Sequence, residues 1–196
     1  MRIWIKEPLA ILSSEASGGI VVEDGSIAEC LAVGALPAAP CDHTFDASRC
    51  VVLPGLVNTH HHFYQTLTRA YGPALDKELF DWLKTLYPVW KGLTPEYLHV
   101  ATRLALAELL LSGCTTAADH HYVFPDGLDE AVDVQVDAAR TMGIRVTLTR
   151  GSMNLSVEEG GLPPVSVVQD ADTILADSAR VIDAFHDPSP GAMVQI

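Results

Sequence analysis

The chain has 196 residues, of which 48% are hydrophobic and 19% charged, and its formal net charge at pH 7 is -13. This composition is typical of a globular protein and excludes a largely disordered chain. The acidic balance disfavours nucleic acids and anionic membrane surfaces as partners, because both repel a negatively charged protein. We therefore expect neither a nucleic acid nor a membrane as partner, while the charge says little about a small neutral substrate.

The cysteines and the apolar runs indicate the compartment. Cys30, Cys41, Cys50 and Cys114 show no Cys-x-x-Cys spacing and are too few for a disulfide framework. No signal-peptide pattern and no membrane-length apolar run is present in the sequence. Reduced thiols and a cytoplasmic location are therefore expected. Whether the protein forms a homo-oligomer is left open.

The first part of the chain predicts a small β domain. Apolar runs at residues 20–23 and 26–30 flank Asp24-Gly25, a dipeptide that is typical of a tight β-hairpin turn. Further short strands are predicted up to residue 53. The sequence therefore predicts that residues 1–54 contribute a small domain of the β-sandwich type.

From residue 55 onward, predicted strands alternate with predicted helices. Such alternation is typical of βαβ units around a parallel sheet. A full (β/α)8 barrel needs about 250 residues, so residues 55–196 are predicted to form the N-terminal half of a TIM-like barrel, giving an α/β fold class. We also expect the protein to continue past Ile196, since the last strand would otherwise leave an uncovered edge. The first predicted strand ends at His60, and the other three span 115–119, 144–149 and 192–196. The predicted helices span 95–111, 126–142 and 172–185.

Three consecutive histidines follow the first strand of this second part. Residues two apart on a strand share a face, so His60 and His62 are predicted to point together while His61 points away. Two converging neutral imidazoles suit a Zn²⁺ or Fe²⁺ centre. The alternative is a polar loop or a tag-like tract, but such a tract would not follow an apolar strand.

Other polar residues also follow predicted strands. Asp119, His120 and His121 end the second strand, and Arg150 ends the third. Functional groups at the carboxyl ends of parallel strands are found in barrels and in open α/β sheets alike. No glycine-rich phosphate loop follows a strand here, which disfavours a nucleotide-binding open sheet.

The histidine segment carries a resemblance to a known family. The segment Pro54-Gly55-Leu56-Val57-Asn58-Thr59-His60-His61-His62 resembles the first-strand signature of the amidohydrolase superfamily. The superfamily has a branch of aminohydrolases that act on purines and triazines. Three further segments of the chain are similar to sequence elements of that branch: Trp82-Leu83, Leu93 to Glu96 and Ser112 to Asp119. Within that branch, the 8-oxoguanine deaminases are the most similar, through residues 61–69, 118–122 and 149–156. The resemblance covers the whole chain and the N-terminal part of such enzymes.

This resemblance implies a reaction and a set of site residues. The implied reaction is the metal-dependent hydrolytic deamination of an aminated purine, with 8-oxoguanine giving urate and ammonia. His60 and His62 carry over as ligands of Zn²⁺, with Fe²⁺ as the alternative metal, and Gln65 as a contact of the purine-like substrate. The family's remaining ligands and its proton-shuttling acids come from later strands, so no catalytic residue is expected within this chain. Asp119 lies on the wrong strand for that acidic role.

Three further residues are predicted to bind the substrate, each with a structural alternative. Trp82 is a candidate lid residue or a core residue, and His121 a substrate contact or a capping residue. Arg150 is a candidate for orienting the substrate, with a structural ion pair as its alternative. Other activities also stay open: a triazine hydrolase, an adenosine-type deaminase, or a catalytically incomplete fragment.

Overall fold

The computed structural model describes residues 1–196. The chain divides into two compact units, Met1–Pro54 and Gly55–Ile196. None of the helices has both the length and the hydrophobicity that a membrane crossing requires.

The first unit consists of short strands. Four of them form a mixed sheet in the order β4-β3-β1-β5, and the other two form a parallel pair. The predicted hairpin is confirmed: β3 and β4 are antiparallel, and Asp24 and Gly25 have the positive φ angles, 47° and 83°, that such a tight turn requires. The strands are β1 (Arg2–Lys6), β2 (Ala10–Ile11), β3 (Gly19–Glu23), β4 (Ser26–Leu31), β5 (His43–Asp46) and β6 (Val51–Val52), with a 3₁₀ turn at Ser14–Ala16.

The second unit is a parallel sheet with helices between its strands. Its four strands lie in sequential order, β10-β9-β8-β7, and every neighbouring pair is parallel. The predicted half of a (β/α)8 barrel is therefore the fold of this unit. The strands are β7 (Leu56–His61), β8 (Cys114–His121), β9 (Arg145–Arg150) and β10 (Val194–Gln195), and the helices are α1 (Leu79–Trp90), α2 (Pro95–Leu111), α3 (Ala131–Met142) and α4 (Ala171–Phe185). Short 3₁₀ turns lie at Phe63–Thr68, Gly72–Ala74, Val157–Glu159 and Val165–Val167.

Local sequence signals account for several helix ends. The Thr94 side chain accepts a hydrogen bond from the backbone N–H of Tyr97, and Pro95 occupies the first helical position, so α2 begins where predicted. Gly143 ends α3 with a φ of 70°, as a C-terminal glycine does. The predicted start of α3 at residue 126 is wrong. Gly127 adopts a φ of 82°, which an α-helix does not accommodate, and the helix begins only after this turn.

One face of the sheet in the second unit packs against the helices. Ala117 on β8 and Leu148 on β9 are fully buried and belong to one apolar cluster with residues of α2 and α3. Their neighbours along the strands, Ala118 and Thr149, are half-buried and exposed. Side chains alternate between the two faces of a strand. The buried residues of β8 and β9 therefore face the helices, and the more exposed residues between them lie on the opposite face.

Candidate metal centre

The imidazoles of His60 and His62 meet at the end of β7. Their Nε2 atoms are 3.3 Å apart. Two nitrogens that bind one tetrahedral Zn²⁺ at 2.0–2.1 Å lie about 3.3–3.4 Å from each other, so the pair fits two ligands of one ion. The His61 ring is directed elsewhere, 5.1 Å from the ring of Phe63.

Hydrogen bonds fix the imidazole of His62 and the backbone of His60. Nδ1 of His62 lies 2.7 Å from the carbonyl oxygen of His120, so Nδ1–H donates there and Nε2 keeps its lone pair for a metal. The side-chain oxygen of Asn58 accepts a hydrogen bond of 3.1 Å from the backbone N–H of His60. Burial lowers the pKa of His62, which favours the neutral, metal-binding form of the ring.

Asp119 supports this region from the helix side of the sheet. One carboxylate oxygen accepts a hydrogen bond of 2.5 Å from the backbone N–H of Phe63, and the other accepts one of 2.6 Å from Nε2 of Gln135 on α3. Asp119 is fully buried, and this burial raises its pKa to about 7. The carboxylate therefore fixes the segment that follows His62, and both of its oxygens are already engaged.

His120 also lies at this site, although no functional role was predicted for it. Its ring centroid lies 4.8 Å from that of His60 and 5.8 Å from that of His62. Its Nε2 is 3.3 Å from the carbonyl oxygen of Thr59. Side chains alternate between the two faces of β8. Once the helix-facing residues of that strand are known, this alternation places His120 on the opposite face, with the histidine pair. No group of three His, Cys, Asp or Glu side chains in residues 1–196 is arranged to hold a metal ion.

His121 lies on the other face of β8 from His120. It is fully buried, with its ring centroid 5.3 Å from that of Tyr64 and 4.9 Å from that of Phe124. Neither of its ring nitrogens has a hydrogen-bond partner. Burial lowers the pKa of His121 to about 3, so the ring is neutral. The structure does not place His121 beside the His60–His62 pair.

Arg150 is held in a buried ion pair. Its Nε donates to the carboxylate of Asp177 on α4, and Nη2 donates to the side-chain oxygen of Gln169, both at 2.7 Å. The guanidinium also lies 4.0 Å from the ring centroid of Phe124, and the side chain is only 2% exposed. Arg150 pairs in register with His121. Both residues therefore belong to the helix side, and the structural alternative for Arg150 is the one that these contacts favour.

Gln65 shares a cavity with the histidines, whereas Trp82 does not. Gln65 lies in the 3₁₀ turn after His62, and its Nε2 donates to the Tyr64 hydroxyl oxygen at 3.3 Å. Trp82 on α1 is partly buried and packs edge-to-face on Trp90, at 5.4 Å between ring centroids. An open cavity of about 240 Å³ contains Gln65 but not Trp82; it is lined by His60, His61, His62, Gln65, Thr66 and Arg69.

The buried state of His121 predicts how stability depends on pH. An unfolded histidine takes up a proton below pH of about 6.5, whereas His121 in the folded protein does so only near pH 3. The unfolded state therefore binds more protons between these values, and the free energy of unfolding falls as the pH falls through this window. By pH 5 the expected loss is at most about 2 kcal/mol.

Urea unfolding of the whole protein at pH 7.5 and pH 5 measures this loss. His121→Phe removes the titrating group and keeps an aromatic ring beside Phe124, so the variant should lose less stability over the same interval. His43→Phe, at an exposed position in β5, is the matched control and should behave as wild type. An equal pH dependence in wild type and His121→Phe would contradict the prediction.

Comparisons with known proteins show what this chain is similar to. The sequence profile of the amidohydrolase family matches residues 51–195. The chain is 63% identical over its whole length to an 8-oxoguanine deaminase from Pseudomonas aeruginosa, of which it covers 44%.

A solved triazine hydrolase from Arthrobacter aurescens superposes with a TM-score of 0.89 at 28% identity, over 100% of this chain and 45% of that one. An atrazine chlorohydrolase from A. aurescens TC1, crystallised with zinc, has a TM-score of 0.82 at 27% identity over 99% of this chain and 45% of that one. The chain thus spans less than half the length of these relatives.

Proposed function

Because the chain belongs to the amidohydrolase family, we propose that the whole protein hydrolytically deaminates an aminated purine, with 8-oxoguanine as its substrate. The observation that carries this proposal is the 63% identity to an 8-oxoguanine deaminase along the entire chain. Water replaces the exocyclic amine of the ring: a C–O bond forms, the C–N bond breaks, and ammonia leaves. The products are urate and ammonia.

His60 and His62 are the residues of this chain that hold the metal. The 3.3 Å separation of their Nε2 atoms supports this assignment. Zinc is proposed over iron, because a related atrazine chlorohydrolase was crystallised with zinc. A bound Zn²⁺ supplies the Lewis acidity that activates water at neutral pH. Elemental analysis of the purified whole protein distinguishes the two metals.

Gln65 is the proposed substrate contact. Its amide carries both donors and an acceptor, and only one N–H is engaged, by the Tyr64 hydroxyl. The remaining groups match the N–H and C=O groups along an oxidised purine edge. Trp82, His121 and Arg150 are assigned to supporting positions, since each packs against neighbours away from the histidine pair.

A triazine hydrolase is the second candidate, supported by the fold match to a triazine hydrolase along the whole chain. Ammonia release from 8-oxoguanine, guanine, isoguanine, adenine, adenosine, cytosine and hydroxylated triazines separates the candidates. We expect the zinc-loaded whole protein to prefer 8-oxoguanine. Activity on triazines alone would replace the proposal with the second candidate, and activity on none of the panel would refute both.

Replacing Gln65 with alanine is expected to lower kcat/KM for 8-oxoguanine by about a hundredfold. The reason is that a purine edge left without partners in a desolvated pocket costs about 1–3 kcal/mol per group. Steady-state kinetics with the whole protein measure the effect. Gln195→Ala, at a position on β10 away from this cavity, is the control. A Gln65→Ala enzyme within about threefold of wild type would remove Gln65 from the substrate site.

A purine-like small molecule is the proposed partner, in line with the named activity of the Pseudomonas aeruginosa relative. A cytoplasmic location is proposed from the cysteine pattern. Light scattering of the whole protein measures whether it forms a homo-oligomer.

A further inference from the structure

The 3₁₀ turn at Phe63–Thr68 carries Gln65 and follows His62 directly. Inside the turn, the backbone N–H of Gln65 donates to the carbonyl oxygen of His62 at 3.0 Å. Such turns are short because their hydrogen-bond geometry is poorer than that of an α-helix, so they gain little stability of their own. The position of the Gln65 side chain therefore depends on what holds the turn from outside.

Two hydroxyl groups join this turn to the neighbouring helices. The Thr66 hydroxyl donates to the carbonyl oxygen of Ala101 on α2, at 3.2 Å. The Thr68 hydroxyl donates to the carbonyl oxygen of Gln65 at 3.1 Å, and it accepts a hydrogen bond of 3.1 Å from Nε1 of Trp90 on α1. Each of the two helices thus contacts the turn through one neutral hydrogen bond.

Arg69 adds a charged connection between the turn and α2. Its Nη1 and Nη2 donate to the two carboxylate oxygens of Glu108 at 2.9 and 2.8 Å, and its Nε donates to the carbonyl oxygen of Thr66 at 3.3 Å. A bidentate arginine–carboxylate pair fixes orientation as well as distance. One guanidinium group therefore holds a carbonyl group of the turn and a side chain of α2 in a fixed relation.

Arg69 also lines the open cavity that contains Gln65 and the two histidines, His60 and His62. Its side chain is 56% exposed and that of Glu108 is 44% exposed. An ion pair this exposed contributes little to the free energy of unfolding. The pair is therefore better placed to fix the wall of the cavity than to stabilise the fold.

We propose that Arg69 is a positioning residue, whose ion pair with Glu108 holds the 3₁₀ turn so that the Gln65 amide reaches the purine. This inference rests on the proposed function and on Gln65 as the substrate contact. Lysine cannot take over this role, because its ammonium group is a point charge without the planar fork of a guanidinium. Arg69 acts through Gln65 and does not itself contact the substrate.

Arg69→Lys keeps the charge and removes the bidentate pair. With the zinc-loaded whole protein, we expect kcat/KM for 8-oxoguanine to fall about tenfold, less than in Gln65→Ala, because the contact is displaced and not deleted. Glu108→Gln breaks the pair from its other side and should cause a similar loss. Zinc content and the midpoint of urea unfolding should stay at wild-type values in both variants. Arg103→Lys, at an exposed position on α2, is the matched control and should be as active as wild type.

A double-mutant cycle tests whether Arg69 acts through Gln65. Combined with Gln65→Ala, Arg69→Lys should cause no further loss of kcat/KM, because the contact that it positions is already absent. Calorimetric binding of urate, the proposed product, should show the same non-additivity without turnover.

Three results would overturn the proposal. One is a further tenfold loss, roughly, when Arg69→Lys is added to Gln65→Ala, which would give Arg69 a role independent of Gln65. Another is a kcat/KM of Arg69→Lys within about twofold of wild type. The third is a loss of activity that only accompanies a loss of stability. Failure of the proposed function is distinct from these results, because wild-type protein would then deaminate no purine.

Discussion

Replacing His60 and His62 together by alanine is expected to remove the metal from the whole protein and to abolish deamination. Their Nε2 atoms, 3.3 Å apart, are the two nitrogens of this chain that fit one ion. Metal-assisted activation of water contributes several kcal/mol, so kcat/KM should fall about a thousandfold or more. Zinc content by elemental analysis and ammonia release measure the two effects independently.

Two single variants serve as controls for this result. His61→Ala should keep the zinc, because the His61 ring turns toward Phe63 and away from the pair. His99→Ala, on α2, should keep both zinc and activity. Full zinc content in the His60→Ala, His62→Ala double variant would contradict the assignment, and so would loss of zinc from His61→Ala.

Replacing Arg150 by alanine is expected to destabilise the whole protein by about 3–5 kcal/mol, with little change in KM. The change breaks a buried ion pair with Asp177 and leaves the side-chain oxygen of Gln169 without its donor. It also removes the cation that packs on Phe124. Urea unfolding measures the loss of stability, and kinetics at a temperature well below the melting point measure KM.

Arg180→Ala is the matched control for Arg150. Arg180 pairs with Asp133 and Asp177 at 2.7–2.8 Å, but its side chain is 42% exposed, so its removal should cost no more than about 1 kcal/mol. Unchanged stability of Arg150→Ala together with a raised KM would instead support the prediction that Arg150 contacts the substrate.

Local signals in the sequence account for most of the secondary structure. The Asp24-Gly25 turn, the Thr94-Pro95 helix start and the Gly143 helix end each act through their immediate neighbours, and each is found where it was predicted. The start of α3 was predicted too early. That boundary depends on the left-handed conformation of Gly127, whereas the periodic pattern of apolar residues continues across it.

The histidine pair follows from the two-residue period of a strand, so local sequence was enough to indicate that His60 and His62 converge. The proposed activity rests on the family resemblance, because no catalytic acid is recognisable within these residues. The resemblance also indicated Gln65, which lies with the histidines around one cavity.

The alternation of strands and helices and the position of the histidine pair could be predicted from the sequence, since both arise from interactions between residues close in the chain. Which of His120 and His121 lies beside that pair could not, because it depends on the packing of the whole unit. Alternation puts the two on opposite faces of β8, but which face is covered depends on where the helices pack. The ion pair of Arg150 could not be predicted from the sequence either. Its partner Asp177 lies on α4 and contacts Arg150 only when that helix packs against β9. The ion pair of Arg150 is thus formed by packing between elements distant in sequence.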